Sequence, residues 1–343
     1  MDLFQPIGHA KSLHPHFISI IAPEKESERQ ELLRWAEGFE DRDGKFVQEF
    51  QTTFNSSFWE LFIFAVLKEY GMVVDWNNSS PDFIVDSIYG HFTIEATTAN
   101  AAQGKPNEWD KTYSSDEVEQ LSLTKLNHEA IIRLANAFIS KYRYYNSRYA
   151  SLEHVKNKPF VLAIAPFEQP HFNLQYNRPI LALLYDHYID EEAYLRSPNS
   201  FPGGIPISQL GYVTKDNGAE IPLGLFNDDT CSDISAVIFS NTATWGKISA
   251  MTHDSTMIKH VQWVWASEPD GSPMLLTNNE HVENLTDGLQ IFHNPYAKHP
   301  LSLETFRRKG VVQYYIDKST NQLLAEETNR CLYFRQVINL KSV

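Results

Sequence analysis

Three carboxylates in the first third of the chain have the type and spacing for metal-assisted chemistry. Asp82 follows Pro81 at the head of the apolar run FIVDS, and Glu95 lies thirteen residues later in GHFTIEATTAN. The second stretch alternates with the period of a strand, placing Phe92, Ile94 and Ala96 on one face and Thr93, Glu95 and Thr97 on the other. Thirteen residues suffice to cross one strand, turn and return antiparallel, which brings Asp82 and Glu95 toward each other. Glu60 sits in the helical run SSFWELFIFAVLKEYGM, where Ile63, Phe64 and Leu67 fall within about 60° of it on a helical wheel. An ionised carboxylate there needs a metal or a base beside it. Taken singly, Asp82 also reads as a turn residue, Glu95 as a wet strand position and Glu60 as half of a structural ion pair. Taken together, clustered carboxylates suit a hard divalent ion such as Mg²⁺ or Mn²⁺, which activates water and neutralises charge on a phosphate.

The elements that must position these groups are legible in the pattern. An acidic helix is expected over roughly 24–39. The helix carrying Glu60 starts with Ser56 or Ser57 as N-cap, ends at Gly71 and is apolar nearly all round, hence buried. Two strands joined by a turn near Tyr89 and Gly90 follow, then a polar loop over 98–117. A long helix is expected from about Glu117 to Tyr145, then a strand over 159–166 and a helix over 180–194. SPNSFPGGIP is a loop, residues 234–241 form a strand, and WVWAS, LQIFHNP and VVQYYID supply further strands. On the long helix Leu126, Ala130, Leu134 and Phe138 form an apolar stripe. With Leu126 at zero, Lys141 falls at about 60°, inside that stripe, whereas Lys125 lies outside it. An inward lysine either takes a carboxylate or anion partner or snorkels past the core edge.

Composition narrows the classes. With 42% hydrophobic and 13% aromatic residues in 343, the chain can fill a large core, so disorder is excluded as the default. There is no run of about 18 apolar residues and no signal-peptide pattern at the N-terminus, so no membrane partner and a cytoplasmic location are expected. Cys231 and Cys331 stand apart, which argues against a zinc or disulfide framework. The net charge of −14 repels nucleic acid on average, yet residues 121–160 carry seven Lys or Arg against two Glu. Arg143 and Arg148, interleaved with Tyr142, Tyr144, Tyr145 and Tyr149, are the candidate substrate-binding residues there, although such tyrosines also read as packing. His14 and His16 form an His-x-His pair near the terminus, and HNPYAKHP reads as an ordered loop. No P-loop and no G-x-S-x-G elbow occurs.

The buried helix with Glu60, Pro81-Asp82 opening a strand, and Glu95-Ala96-Thr97 late in the next strand, followed by a helix and a strand, resemble the PD-(D/E)xK nuclease superfamily over residues 56–166. The resemblance implies an α/β fold of restriction-endonuclease-like type, a mixed central sheet flanked by helices with α+β decorations at both ends. It implies Mg²⁺ (or Mn²⁺) held by Asp82 and Glu95, assistance from Glu60, and hydrolysis of phosphodiester bonds in nucleic acid, DNA ahead of RNA, in a bacterial defence or mobile-element setting. The lysine of the motif is replaced by Thr97. The superfamily's lysine is known to migrate to the neighbouring helix, a position that Lys141 fits; otherwise the chain is an inactive binding or assembly module. The expected organisation is a helical extension over 1–50, a core over 51–245 and an α+β extension over 246–343, with homo-oligomerisation left open.

Overall fold

The computed structural model describes residues 1–8, 12–111, 121–252, 257–265, 274–276 and 282–341. Helices α1 (Pro15–Ile20), α2 (Glu26–Ala36), α3 (Phe46–Thr52) and α4 (Asn55–Glu69) lead into strands β1 (Val73–Val74), β2 (Phe83–Ser87) and β3 (Gly90–Asn100). Helix α5 (Leu123–Tyr144), strand β4 (Phe160–Phe167), helices α6 (Arg178–Tyr185) and α7 (Glu191–Arg196), strand β5 (Ala236–Phe239) and helix α8 (Trp245–Met251) follow. Strands β6 (Met257–Trp265), β7 (Gln290–His293), β8 (Val312–Asp317), β9 (Gln322–Glu326) and β10 (Leu332–Lys341) complete the principal elements.

Eight strands form one mixed sheet in the order β1-β2-β3-β4-β5-β7-β8-β9. Strands β3, β4 and β5 run parallel at its centre, with β2 antiparallel to β3 and β7 antiparallel to β5. A smaller sheet is built on the long antiparallel pair β6–β10, with residues 274–276 at its edge.

Two cores cover the two faces of the main sheet. Strand β4 shows why: every one of its residues is buried, as expected for a central strand with helices on both sides. Its Val161, Ala163 and Ala165 join Phe58, Phe62 and Leu67 of α4, and the indole of Trp59 donates to the carbonyl of Ala163 at 2.9 Å, tying that helix to the sheet. Phe160, Leu162 and Ile164 join Ile131, Leu134 and Phe138 of α5 and Ile180 of α6. The apolar stripe of α5 is therefore its sheet-facing side, and Leu126, Ala130, Leu134 and Phe138 are all buried.

Several boundaries differ from the sequence reading. Helix α4 begins at Asn55, its N-cap Phe54 holding a positive φ of 33°, so neither Ser56 nor Ser57 caps it. Strand β3 runs on to Asn100 and shortens the loop expected from residue 98. The expected start of the long helix at Glu117 lies outside the described residues. Within them the helix starts at Leu123, where the Ser122 hydroxyl accepts from the amide of Lys125 at 3.2 Å. The helix expected over 180–194 is two helices. Asp186 takes a left-handed φ of 54° after α6, and its carboxylate accepts from the amides of Leu210 and Gly211, which ends the helix. The sheet does not stop at residue 245 either: β7, β8 and β9 belong to it. Residues 1–50 also share the α4-side core, through Phe17, Leu32, Trp35 and Phe50.

Candidate active site

The β2–β3 ladder ends at the pair Phe83–Ile94, so Asp82 and Glu95 are the next residues to face each other. The Asp82 carboxylate accepts the backbone N–H of Ala96 at 2.7 Å, docking the head of β2 onto β3 beyond the last paired residues. Glu95 lies on the face of β3 opposite Phe92 and Ile94 and is only 4% exposed. Across that face runs α5, whose last turn carries Lys141. Its ammonium donates to Glu95 Oε1 at 2.6 Å, while Glu95 Oε2 is buried without a hydrogen-bond partner. Tyr149, buried in the π-helical turn Tyr145–Tyr149 that continues α5, lies within electrostatic reach of Glu95 and Asp82.

The loop before β2 is held from two sides. Arg42 donates to the carbonyls of Asn78 and Pro81 and to that of Asp82 at 3.0 Å, and stacks over the Trp76 ring at 5.5 Å. The His154 ring bonds the carbonyl of Ser80 at 2.8 Å. Glu60 approaches from α4, within electrostatic reach of Asp82, Arg42, Glu49 and Glu95.

The charges explain the protonation. Burial, then the like charge of Glu95, pushes the Asp82 carboxyl up to about 7, against the opposing pull of the Ala96 amide, Lys141 and Arg42. Burial and Asp82 likewise hold Glu60 well above the ordinary carboxylate range. Burial works against the charge of Lys141, but Glu95 and then Asp82 more than offset it and hold the ammonium above its usual range. Burial and the neighbouring Glu95 and Asp82 raise the Tyr149 phenol, which stays neutral.

Among the residues singled out by sequence, Asp82, Glu95 and Lys141 are brought together, with Glu60 in electrostatic reach of Asp82 and Glu95. Thr97 is half-buried two residues beyond Glu95, on the same side of β3. Arg143 and Arg148 are exposed near the same end of α5 and make no ion pair among the described residues. Sequence reasoning passed over Arg42, His154 and the role of Tyr149. Arg42 lies in the acidic stretch EDRDGK, where nothing marks one cation as inward-facing, and Tyr149 stood out only as one of a tyrosine set.

Among the described residues no set of three or more His, Cys, Asp or Glu side chains converges to hold a metal ion. What the cluster offers is a pair, Asp82 and Glu95, with one buried carboxylate oxygen unpartnered. That matches the needs of Mg²⁺, which binds through one or two carboxylates and fills the rest of its shell with waters and substrate phosphate oxygens.

Comparison with protein-family models, with curated proteins and with solved structures finds no match for this chain.

Proposed function

We propose that this chain is a divalent-metal-dependent nuclease of the PD-(D/E)xK type, hydrolysing phosphodiester bonds of nucleic acid, DNA ahead of RNA. The observation that carries the reading is the ion pair from Lys141 on α5 to Glu95 on β3. It supplies, from a helix, the positive charge that Thr97 cannot.

Asp82 and Glu95 would hold the metal, with Glu60 as third acid. When bound, Mg²⁺ or Mn²⁺ supplies a lowered pKa for water and charge neutralisation at the phosphate. Asp82 must lose its proton to serve as a ligand, and the Ala96 amide and Lys141 already favour its ionised form. Lys141 is held as an ammonium and so cannot take a proton at neutral pH. Its part is to orient the attacking water and to stabilise charge developing on the phosphate. Lys141 fixes the rotamer of Glu95. Arg143 and Arg148, exposed near this end of α5, would meet the backbone phosphates of the substrate.

The decisive assay incubates the purified protein with plasmid, single-stranded DNA and RNA, each with Mn²⁺ or Mg²⁺ and with EDTA. Metal-dependent cleavage is expected, and Asp82→Asn, Glu95→Gln and Lys141→Met should each lower it by about 100-fold or more. Asp82→Asn should leave the melting temperature unchanged or raise it, since it removes a carboxylate repelled by Glu95. Cleavage by Asp82→Asn at the rate of the unsubstituted protein would overturn the assignment. Thr97 in the lysine position and the net charge of −14 favour a second reading, an inactive binding or assembly module of the same fold. That reading is upheld if neither Mn²⁺ nor Mg²⁺ binds.

A further inference from the structure

A cavity of about 350 Å³ opens beyond the carboxyl ends of β4 and β5, between α4, residues 171–174 and strands β6 and β10. In sheets with parallel strands flanked by helices, ligands bind off those strand ends, and β3, β4 and β5 are the parallel run here. The cavity uses none of Asp82, Glu95 or Lys141.

Its lining combines aromatic faces with a cation, Lys111. The ammonium of Lys111 lies 5.1 Å from the centroid of the Phe172 ring, and among the described residues it makes no hydrogen bond or ion pair. Glu108, the carboxylate in the cavity lining, is already engaged: its Oε1 meets His16 Nε2 at 2.6 Å and accepts from Asn55 at 3.0 Å. Burial lowers the pKa of Lys111, with Glu108 pulling the other way, as expected of a partly desolvated cation. His14, behind His16, adds no positive charge, because burial pushes its pKa down to about 4.

The wall also holds one unpaired acceptor and one unpaired donor. Asn241 donates through Nδ2 to the carbonyls of Asn173 and Tyr333, leaving Oδ1 buried without a partner. Among the described residues the buried indole Nε1 of Trp245 has no partner either. A buried polar atom left unpaired is unfavourable, so a ligand that completes these two groups gains by doing so. Arg335 lines the same cavity, but its guanidinium is taken up by Glu283 and the carbonyl of Thr242.

A flat ring is suited to the aromatic faces, donor and acceptor atoms on its edge to Trp245 and Asn241, and a negative charge to Lys111. We propose that this cavity binds a small heteroaromatic anion of mononucleotide size. The volume is at the small end of ligand pockets, enough for one nucleotide and too small for a duplex.

The test is calorimetric titration of the full-length protein, in EDTA so that no cleavage occurs. The probes are the four common nucleoside 5′-monophosphates, the corresponding uncharged nucleosides, and inorganic phosphate. At least one monophosphate is expected to bind one-to-one with Kd below about 1 mM, and its nucleoside and phosphate alone at least about tenfold more weakly. Lys111→Gln, at a partly exposed position, should weaken binding by about tenfold or more without changing the melting temperature. Trp245→Phe, which keeps a ring but removes the N–H, should weaken it measurably, and Asp82→Asn should not change it. Failure of every nucleotide to bind at millimolar concentration would overturn the proposal, as would phosphate binding as tightly as the nucleotides. Unchanged affinity in Lys111→Gln, or loss of binding in Asp82→Asn, would place the ligand elsewhere and overturn it as well.

Discussion

Asp82 carries the pH dependence of the site, because burial and the charge of Glu95 raise its carboxyl from the ordinary aspartate range to about 7. The sign is that of a raised group. The native state holds a proton that the unfolded chain releases near pH 4, so the stability it contributes is complete below about 4 and lost as pH rises to about 7. Metal binding works against that proton, since a ligating carboxylate must be ionised. The concentration of Mn²⁺ giving half-maximal binding should therefore fall as pH rises from 6 to about 7 and level off above it. In Asp82→Asn the residual dependence should be weaker over the same range, Glu60 being the raised acid that remains. A wild-type affinity that does not change between pH 6 and 8 would show that Asp82 is not a ligand. At this scale the sequence was informative about acids and nearly silent about their partners. Asp82 and Glu95 could be paired by counting thirteen residues across a turn, and Lys141 could be placed by its angle on a helix with an apolar stripe. Arg42 and His154 could not, because each reaches the loop before β2 from a distant segment, with no period to mark it.

Strand β4 shows what an element contributes beyond its residues. Its continuous apolar run was readable as a buried strand, and helices cover both its faces. Its end was not readable. The chain leaves it through Glu168, which is 1% exposed, has one oxygen without a hydrogen bond, and is pushed up to about 7 by burial. Gln169, next along, donates both to Glu168 and to the carbonyl of Leu126 on α5, joining strand end to helix start. Raised from about 4.5, Glu168 costs the fold stability as pH climbs toward about 7, by roughly 3 kcal/mol in full. Glu168→Gln keeps the shape without the proton equilibrium. It should match the unsubstituted protein at pH 4.5 and melt higher at pH 8, as read by calorimetry at both values. Equal melting temperatures at pH 8 would mean that the carboxyl is not held in its neutral form. Element boundaries failed for a related reason. Phe54, before α4, and Asp186, after α6, hold positive φ that no glycine announced, and tertiary contacts compensate for the strain.

Composition gave no warning that the main sheet reaches to Glu326. The strand signals at 290 and 312 were visible, but strands of four and six residues carry no information about which neighbour they join. In the fold they complete the site's support from behind. Strand β7 pairs with β5, β5 with β4, and β4 with the β3 that carries Glu95. Ile291, Leu301, Phe306 and Val311 lie in the same core as α4, and the Tyr70 hydroxyl, at the end of that helix, donates to the carbonyl of Phe306 at 2.8 Å. The residues past 245 are thus not separable from the carboxylate cluster. Ending the chain after residue 245 would strip the paired edge of β5 and uncover apolar surface on both faces of the sheet, an arrangement prone to edge-to-edge aggregation. Such a fragment should be insoluble or lack a cooperative thermal transition, whereas full-length Asp82→Asn, expressed in parallel, should be soluble and unfold cooperatively. A soluble fragment over 1–245 with a sharp melting transition would show that the three distal strands are an addition to a fold that stands without them.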